Sequence, residues 1–150
     1  MGETFTRVGP ENLGIFLAPG AEEAGMASMM AEMISTNLQN KPGRVKDYNA
    51  LRGTIWITAT DAEVDITLAF TGGGLIVHGG KVGHPILQIS ADSATLMDLA
   101  NITIKYGMPY YFDEVGKQVL NKIKSGEIKI KGMVPHIMEL TRLTKIMSVK

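Results

Sequence analysis

Three histidines, His78, His84 and His136, are the first residues of this chain that could support metal binding or general-base catalysis. Zinc sites built on histidine need further ligands at a defined spacing, as in the His-Glu-x-x-His pattern. None of the three has another histidine four residues away, and the chain contains no cysteine. The sequence therefore indicates ordinary surface or core histidines, and it predicts neither a metal site nor a cofactor.

The glycine-rich stretches do not have the spacing of nucleotide-binding loops. A P-loop needs Gly-Lys followed by Ser or Thr to hold magnesium, whereas Gly80 and Lys81 are followed by Val82. A dinucleotide-binding loop leads into a helix, whereas a strand-like run follows the glycines of residues 72–74. No serine lies in the Gly-x-Ser-x-Gly pattern of a hydrolase nucleophile. These glycines are typical of tight turns, and no catalytic residue is predicted.

Acidic residues cluster at Asp61, Glu63 and Asp65. By the two-residue period of a strand, Glu63 and Asp65 share a face opposite Val64 and Ile66. Paired carboxylates that act as general acid and base need a cleft that shifts their pKa values, and nothing in the surrounding sequence indicates one. The pattern is more typical of a solvated strand surface.

The overall charge argues against nucleic acid as a partner. The chain has 15 Lys and Arg and 15 Asp and Glu, whereas nucleic-acid-binding domains are usually basic. Its hydrophobic content of 45% is that of a globular domain. No apolar run reaches the ~18 residues of a spanning helix, and the first residues lack the pattern of a secretory signal. We therefore expect a single cytoplasmic domain over residues 1–150.

The elements that position any site follow from the hydrophobic periodicity. Helical spacing predicts helices over 21–39, 93–102, about 114–124 and 134–149, and alternation or β-branched composition predicts strands over 54–60, 63–70, 75–78, 86–90 and 127–131. The short links between the first four strands predict antiparallel neighbours, because parallel strands need a crossover of a dozen residues or more. The sequence thus predicts an α+β fold, with a five-stranded, mostly antiparallel sheet and helices packed on one face.

The apolar residues are a more informative set than the polar ones. The chain has 10 methionines, and four of them, at 26, 29, 30 and 33, follow helical spacing in the first predicted helix. Methionine is flexible and polarizable, so it adapts to variable apolar ligands, although a core position is the simpler interpretation for any single one. The last helix has apolar residues on more than one stripe. It therefore either contacts a second apolar neighbour or closes over an apolar ligand.

Residues 125–132, Ser-Gly-Glu-Ile-Lys-Ile-Lys-Gly, are followed by the apolar last helix. This arrangement resembles the closing Gly-Lys-Leu-Lys-Ile-x-Gly strand and lipid-covering helix of the sterol carrier protein type two family. Residues 86–98 resemble the family's strand-then-helix passage, and residues 54–77 its opening hairpins, so the resemblance spans roughly 26–149. Two segments depart from the family: the stretch 102–126 is longer than usual, and residues 1–20 form an N-terminal extension without a counterpart.

The resemblance implies a non-catalytic, sterol-carrier-like protein that binds or transfers a hydrophobic ligand, such as a fatty acid, an acyl chain or a sterol-like lipid. Such a ligand would lie in an apolar cavity between the sheet and the helices, where its surface is removed from water. The lipid-binding residues that we expect are Ile57, Ile66, Leu68, Phe70, Met97, Met138, Leu143 and Met147.

Two other functions stay open at the level of sequence. The apolar last helix could instead form the face of a homodimer, or of another protein-interaction module without a ligand. An enzyme with unrecognised chemistry could use His78 or His136 beside Tyr110 and Tyr111. The sequence favours the carrier first, the interaction module second and the enzyme least.

The neutral overall charge conceals an asymmetry along the chain. Through Glu114 there are seven Lys and Arg against thirteen Asp and Glu, and from Val115 there are eight against two. Lys129 and Lys131 alternate with isoleucines, which is also typical of an edge strand protected by charge. Because the basic residues surround the helix expected to cover the lipid, we predict transient docking on an anionic membrane surface.

Overall fold

A mixed β-sheet forms the centre of the molecule in the computed structural model, which describes residues 4–23, 25–106 and 108–150. The strands of these residues, in chain order, are β1 (Thr6–Arg7), β2 (Ile15–Leu17), β3 (Arg52–Ala59), β4 (Val64–Thr71), β5 (Leu75–Gly79), β6 (Pro85–Ala91), β7 (Ile104–Lys105), β8 (Met108–Pro109) and β9 (Lys129–Lys131). Seven of them form one sheet in the order β1-β2-β5-β4-β3-β6-β9, and β7 and β8 form a separate hairpin.

The described residues also form five α-helices. They are α1 (Gly25–Asn40), α2 (Val45–Ala50), α3 (Ser93–Leu99), α4 (Glu114–Ser125) and α5 (Ile137–Met147). Four of them lie where the sequence predicts a helix, and α2 is the additional one. The predicted α+β class is confirmed.

The prediction of a five-stranded sheet was wrong in its strand count and in one neighbour relation. All five predicted strands are present, but the N-terminal segment adds β1 and β2, and β2 runs parallel to β5. In addition, β6 lies beside β3 and parallel to it, rather than antiparallel to β5. Periodicity identifies a strand by its buried face, but pairing depends on where the links run.

The link between β5 and β6 crosses the outer face of the sheet, and this crossing explains the parallel pair. The Thr67 hydroxyl donates to the carbonyl of Gly80 at 2.7 Å and accepts from the amide of Val82 at 2.9 Å. The Trp56 indole Nε1 donates to the carbonyl of Val82 at 3.0 Å, with Lys81 above its ring. The glycine-containing link between β5 and β6 is therefore a short crossover and not a hairpin turn.

Helices pack on only one face of the sheet in the part of the chain that the structure describes. Alternate residues of the central strands are buried on this face, including Ile57 of β3, Leu68 of β4 and Ile89 of β6. The residues between them, such as Trp56 and Ser90, are half-buried on the outer face. The alternation thus confirms the prediction of a one-sided helical layer.

The acidic cluster of the sequence lies on the solvated side, as predicted, but not on one strand. Glu63 is in the turn between β3 and β4, with a φ of 54°, and β4 begins one residue later. Asp65 lies on the outer face and accepts a hydrogen bond from the Thr58 hydroxyl at 2.5 Å. The two carboxylates therefore do not share a strand face.

Two of the helix boundaries follow from capping residues. Asp92 accepts a hydrogen bond from the amide of Thr95 at 2.7 Å at the start of α3, and Asp113 accepts one from Gly116 at 2.8 Å at the start of α4. The last helix begins at Ile137, three residues later than predicted, because residues 133–136 form a turn first.

The C-terminal half of α5 is fixed to α1 and α2 by buried polar contacts. The side-chain amide of Asn37 donates to the carbonyls of Ile146 at 3.1 Å and Met147 at 2.9 Å. Arg44 Nη1 donates to the carbonyls of Lys145 at 2.9 Å and Ser148 at 2.8 Å. Lys145 itself forms a buried ion pair with Asp47, with 2.8 Å between Nζ and Oδ2. None of the helices in the described residues is both long enough and apolar enough to span a bilayer.

Candidate functional site

The helical side of the sheet contains two apolar spaces. The smaller is a cavity of about 40 Å³ beneath α3, α4 and α5. It is lined by Ile57, Ile89, Leu96, Leu99, Ile102, Tyr111, Val119, Ile123, Ile130, Leu140, Leu143, Thr144 and Met147. Apolar cavities that admit a ligand as small as benzene measure about 150 Å³, so this cavity does not hold a lipid as it stands.

Residues 102–126, the segment that the resemblance suggests is longer than usual, contribute side chains to the lining of this cavity. Tyr111, Val119 and Ile123 all come from residues 102–126 and project into it. Val119 is buried, and Tyr111 is half-buried with its hydroxyl pKa raised by burial. The segment thus forms one wall of the space between α3, α5 and the sheet.

The larger space is a groove of about 370 Å³ between α1 and α3, next to the turn that joins β3 and β4. It is lined by Gly25, Met26, Met29, Met30, Met33, Ala59, Ala62, Val64, Ser93, Leu96, Met97 and Ala100. Among these lining residues only Ser93 has a polar side chain. The volume falls within the range of small-molecule binding sites, which is about 300–1,000 Å³. Such sites are also lined mostly by apolar side chains, as this groove is.

The methionines line this groove, which we call the methionine groove, because their spacing places them on one helix face. Positions 26, 29, 30 and 33 follow the i, i+3, i+4, i+7 pattern, so α1 presents all four to the same side. Met30 is buried at the floor, whereas Met29 and Met97 are each 46% exposed. Small residues opposite them, such as Ala59 and Ala100, leave the space open.

Asp61 links the turn between β3 and β4 to the start of α3 at one end of the methionine groove. Its Oδ1 accepts hydrogen bonds from the amide of Ser93 at 2.9 Å and from the Ser93 hydroxyl at 2.8 Å. These hydrogen bonds keep the pKa of Asp61 below its usual range. The carboxylate therefore stays ionised at neutral pH, and its oxygens remain hydrogen-bond acceptors. The turn after β3 is thereby joined to the first residue of α3.

The structure places the predicted lipid-binding residues in four different surroundings. Ile57, Leu143 and Met147 line the small cavity, and Met97 lines the methionine groove. Met138 is 52% exposed in the first turn of α5 and lies outside both spaces. The remaining three, Ile66, Leu68 and Phe70, are core residues of β4 that line neither space. Their role toward a ligand stays a prediction.

Sequence reasoning noted the four methionines of α1 as adaptable side chains but did not assign them to a site. The spacing that places them on one face was visible, and Met97 was assigned. The position of α3 beside α1 was not visible in the sequence, and this position brings Met97 to the other wall of the same groove.

The two histidines considered for an enzyme lie in different parts of the fold. His78 lies on β5 and His136 follows β9, which is four strand positions away, or about 19 Å. Tyr110 lies under Lys105, with 4.1 Å between Nζ and the ring centroid, and Tyr111 points into the small cavity. Within residues 4–23, 25–106 and 108–150, no three His, Asp or Glu side chains are grouped to hold a metal ion.

Comparison with known proteins identifies the fold. A structure described as UbiJ-SCP2 ubiquinone synthesis protein superposes with a TM-score of 0.58 at 13% identity, covering 85% of this chain and 98% of that one. A crystal structure of sterol carrier protein 2 gives 0.50 at 15% identity, covering 81% and 95%. The chain has the sterol carrier protein fold. The resemblance drawn from the sequence is confirmed at this level.

The sterol carrier fold also occurs inside a larger enzyme among the similar structures. The sec-alkylsulfatase Pisa1 from Pseudomonas sp. matches with a TM-score of 0.50 at 15% identity over 81% of this chain. This chain spans only 16% of that enzyme. No family model and no curated protein sequence matches the chain. Identities of this size establish a shared fold.

Proposed function

We propose that this protein is a non-catalytic carrier that binds a hydrophobic ligand, an acyl chain or a sterol-like lipid, in the methionine groove. The observation that carries the proposal is an apolar groove of about 370 Å³ with five methionines and a single polar side chain among its lining residues. Its fold is shared with a protein named sterol carrier protein 2, which supports the same class of ligand. His78 on β5 and His136 after β9, the histidines considered for catalysis, belong to different parts of the fold.

Binding in such a groove is driven by removal of apolar surface from water. Each methylene that enters contributes about 0.8 kcal/mol before the cost of ordering the ligand. Methionine side chains adjust their shape at low energetic cost, so the groove suits chains of variable length or ring systems of variable shape. We therefore expect broad specificity for the apolar part of the ligand.

Native mass spectrometry and titration with a fluorescent fatty acid test the proposal on the purified full chain. Met97→Glu places a charge at the exposed lip of the methionine groove, and we expect it to lower the affinity at least tenfold. Met138→Glu is the matched control, because Met138 is exposed to a similar extent, 52% against 46% for Met97, but lies outside the groove. Absence of co-purified lipid together with no uptake of the fatty acid or of a fluorescent sterol would overturn the proposal.

A further inference from the structure

The five methionines that line the methionine groove differ in how far they are open to solvent. Met29 on α1 and Met97 on α3 are each 46% exposed, on opposite walls of the groove. Met30 at the floor is 3% exposed, and Met26 and Met33 are half-buried. The thioether sulfur of methionine is readily oxidised to a sulfoxide. Met29 and Met97 are therefore the lining residues that an oxidant in solution reaches first.

Oxidation at either sulfur needs a peroxide as the only co-reactant. The sulfur lone pair attacks one oxygen of hydrogen peroxide, so that an S–O bond forms and the O–O bond breaks. The departing hydroxide takes the proton from the new S–OH group, and the products are one sulfoxide and one water. Sulfur loses two electrons and the peroxide gains them. An apolar thioether thereby becomes a polar sulfoxide, and methionine sulfoxide reductases reverse the change.

The lining residues that the structure describes offer no free side-chain donor to a sulfoxide oxygen. Ser93 is the only polar side chain among them, and its hydroxyl donates to Asp61 Oδ1 at 2.8 Å. In the empty groove, water solvates a sulfoxide at the exposed positions Met29 and Met97. A lipid that enters the groove displaces this water, and no lining side chain replaces the lost hydrogen bonds. Oxidation therefore favours the empty groove.

We propose that Met29 and Met97 are modification sites at which peroxides control ligand binding in the methionine groove. This inference rests on the proposed function, because it concerns the same groove. In the reduced protein both side chains contact the lipid, and after their oxidation the lipid is released. A bound lipid covers both side chains, so it also protects them from oxidation.

Two methionines of similar exposure lie elsewhere in the fold and serve as internal controls. Met108 at the start of β8 is 53% exposed, and Met138 in the first turn of α5 is 52% exposed. Neither of them lines the methionine groove. In the lipid-free protein, peroxide should oxidise them about as fast as Met29 and Met97, since susceptibility follows exposure. Bound lipid should protect only the pair in the groove.

Mild treatment of the purified full chain with hydrogen peroxide tests the proposal, with peptide mass spectrometry to locate the sulfoxides. Oxidation of Met29 and Met97 should lower the affinity for the fluorescent fatty acid or sterol by about tenfold or more, and methionine sulfoxide reductases should restore it. Prior saturation with the lipid should slow oxidation of this pair by about fivefold or more. The oxidation rates of Met108 and Met138 should not change.

Matched leucine variants connect the loss of affinity to the two sulfurs. Met29→Leu with Met97→Leu keeps apolar side chains of similar volume but removes both sulfurs from the lip of the groove. Peroxide treatment should change the affinity of this variant by less than about threefold. Met108→Leu with Met138→Leu is the control and should lose affinity on oxidation as the unaltered protein does.

Three results would overturn the proposal: unchanged affinity after complete oxidation of Met29 and Met97, an equal loss of affinity in Met29→Leu with Met97→Leu, or equal oxidation rates of this pair with and without bound lipid. Binding by the untreated protein separates this inference from the proposed function. Uptake of neither fluorescent lipid before treatment would overturn both. Uptake that is the same before and after oxidation would overturn only the inference.

Discussion

Leu96 is the one residue that lines both the methionine groove and the small cavity. It is 7% exposed, and it separates the larger space from the cavity lined by Ile57, Leu143 and Met147. We infer that a longer ligand reaches the predicted lining residues by displacing Leu96.

Substitution of Leu96 tests this inference. Leu96→Ala should shift the preference toward longer saturated acyl chains, because the cavity beneath α3 then becomes the inner end of the methionine groove. Displacement of a fluorescent fatty acid by acyl chains of increasing length measures the shift. Leu99→Ala is the control, since Leu99 lies on the same helix but lines only the small cavity. An unchanged chain-length profile in Leu96→Ala would contradict the inference.

At the scale of elements, one buried amide contributes to the position of α5. The Asn37 side chain is 5% exposed and donates to two carbonyls at the C-terminal end of α5. Asn37→Ala leaves these carbonyls without that donor, so we expect the free energy of unfolding to fall by about 1–3 kcal/mol. Urea denaturation measures the change.

The matched control for Asn37 is on the same helix. Asn40→Ala changes an exposed asparagine at the last residue of α1 and should alter the free energy of unfolding by less than about 0.5 kcal/mol. A similar loss in both variants would mean that the contacts with α5 are not the source of the effect.

The elements were predictable to the extent that their signals are local. Asp92 and Gly126 mark the start of α3 and the end of α4 within a few residues of sequence, and both predictions are confirmed. The helix α2 and the short strands β1 and β2 have too few residues to show a period, and β2 is a strand because it pairs with β1 and with the distant β5. Local pattern therefore misses elements that depend on a distant neighbour.

At the scale of the whole molecule, hydrogen-bonded carboxylates predict how stability responds to acid. The pKa values of Asp61, Asp92 and Asp113 are lowered, first of all by hydrogen bonds from Ser93, Thr95 and Gly116 respectively. A lowered pKa stabilises the fold fully above the unfolded value of about 3.9, and this contribution is lost as pH falls through the folded value. The contribution of these three carboxylates to the urea midpoint should therefore be constant between pH 5 and 7 and be lost toward pH 3.

A single carboxylate can be removed to check this acid response. Asp61→Asn retains a side-chain acceptor for Ser93 but no ionisable group, so its urea midpoint should fall less between pH 5 and pH 3 than that of the unaltered protein. Equal losses in the two proteins would show that Asp61 contributes nothing to acid unfolding.

The charge asymmetry of the chain is also a property of the whole molecule. The residues that line the methionine groove all lie between Gly25 and Ala100, in the part of the chain where acids outnumber bases. The basic end, from Val115 on, supplies most of α4, β9 and α5 instead. Substitutions that change the charge of this end therefore leave the lining of the methionine groove unaltered.

The sequence by itself determined the α+β class, most element positions, the buried face of each long strand and the resemblance to sterol carrier proteins. These properties follow from periods of two and 3.6 residues and from short local motifs, which need no knowledge of distant contacts. Only the tertiary structure decided that β6 lies beside β3, that residues 102–126 line the cavity beneath α5, and that α3 completes the methionine groove. Each depends on which elements become neighbours, and Met97 and Met30 are 67 positions apart in the chain but line one groove.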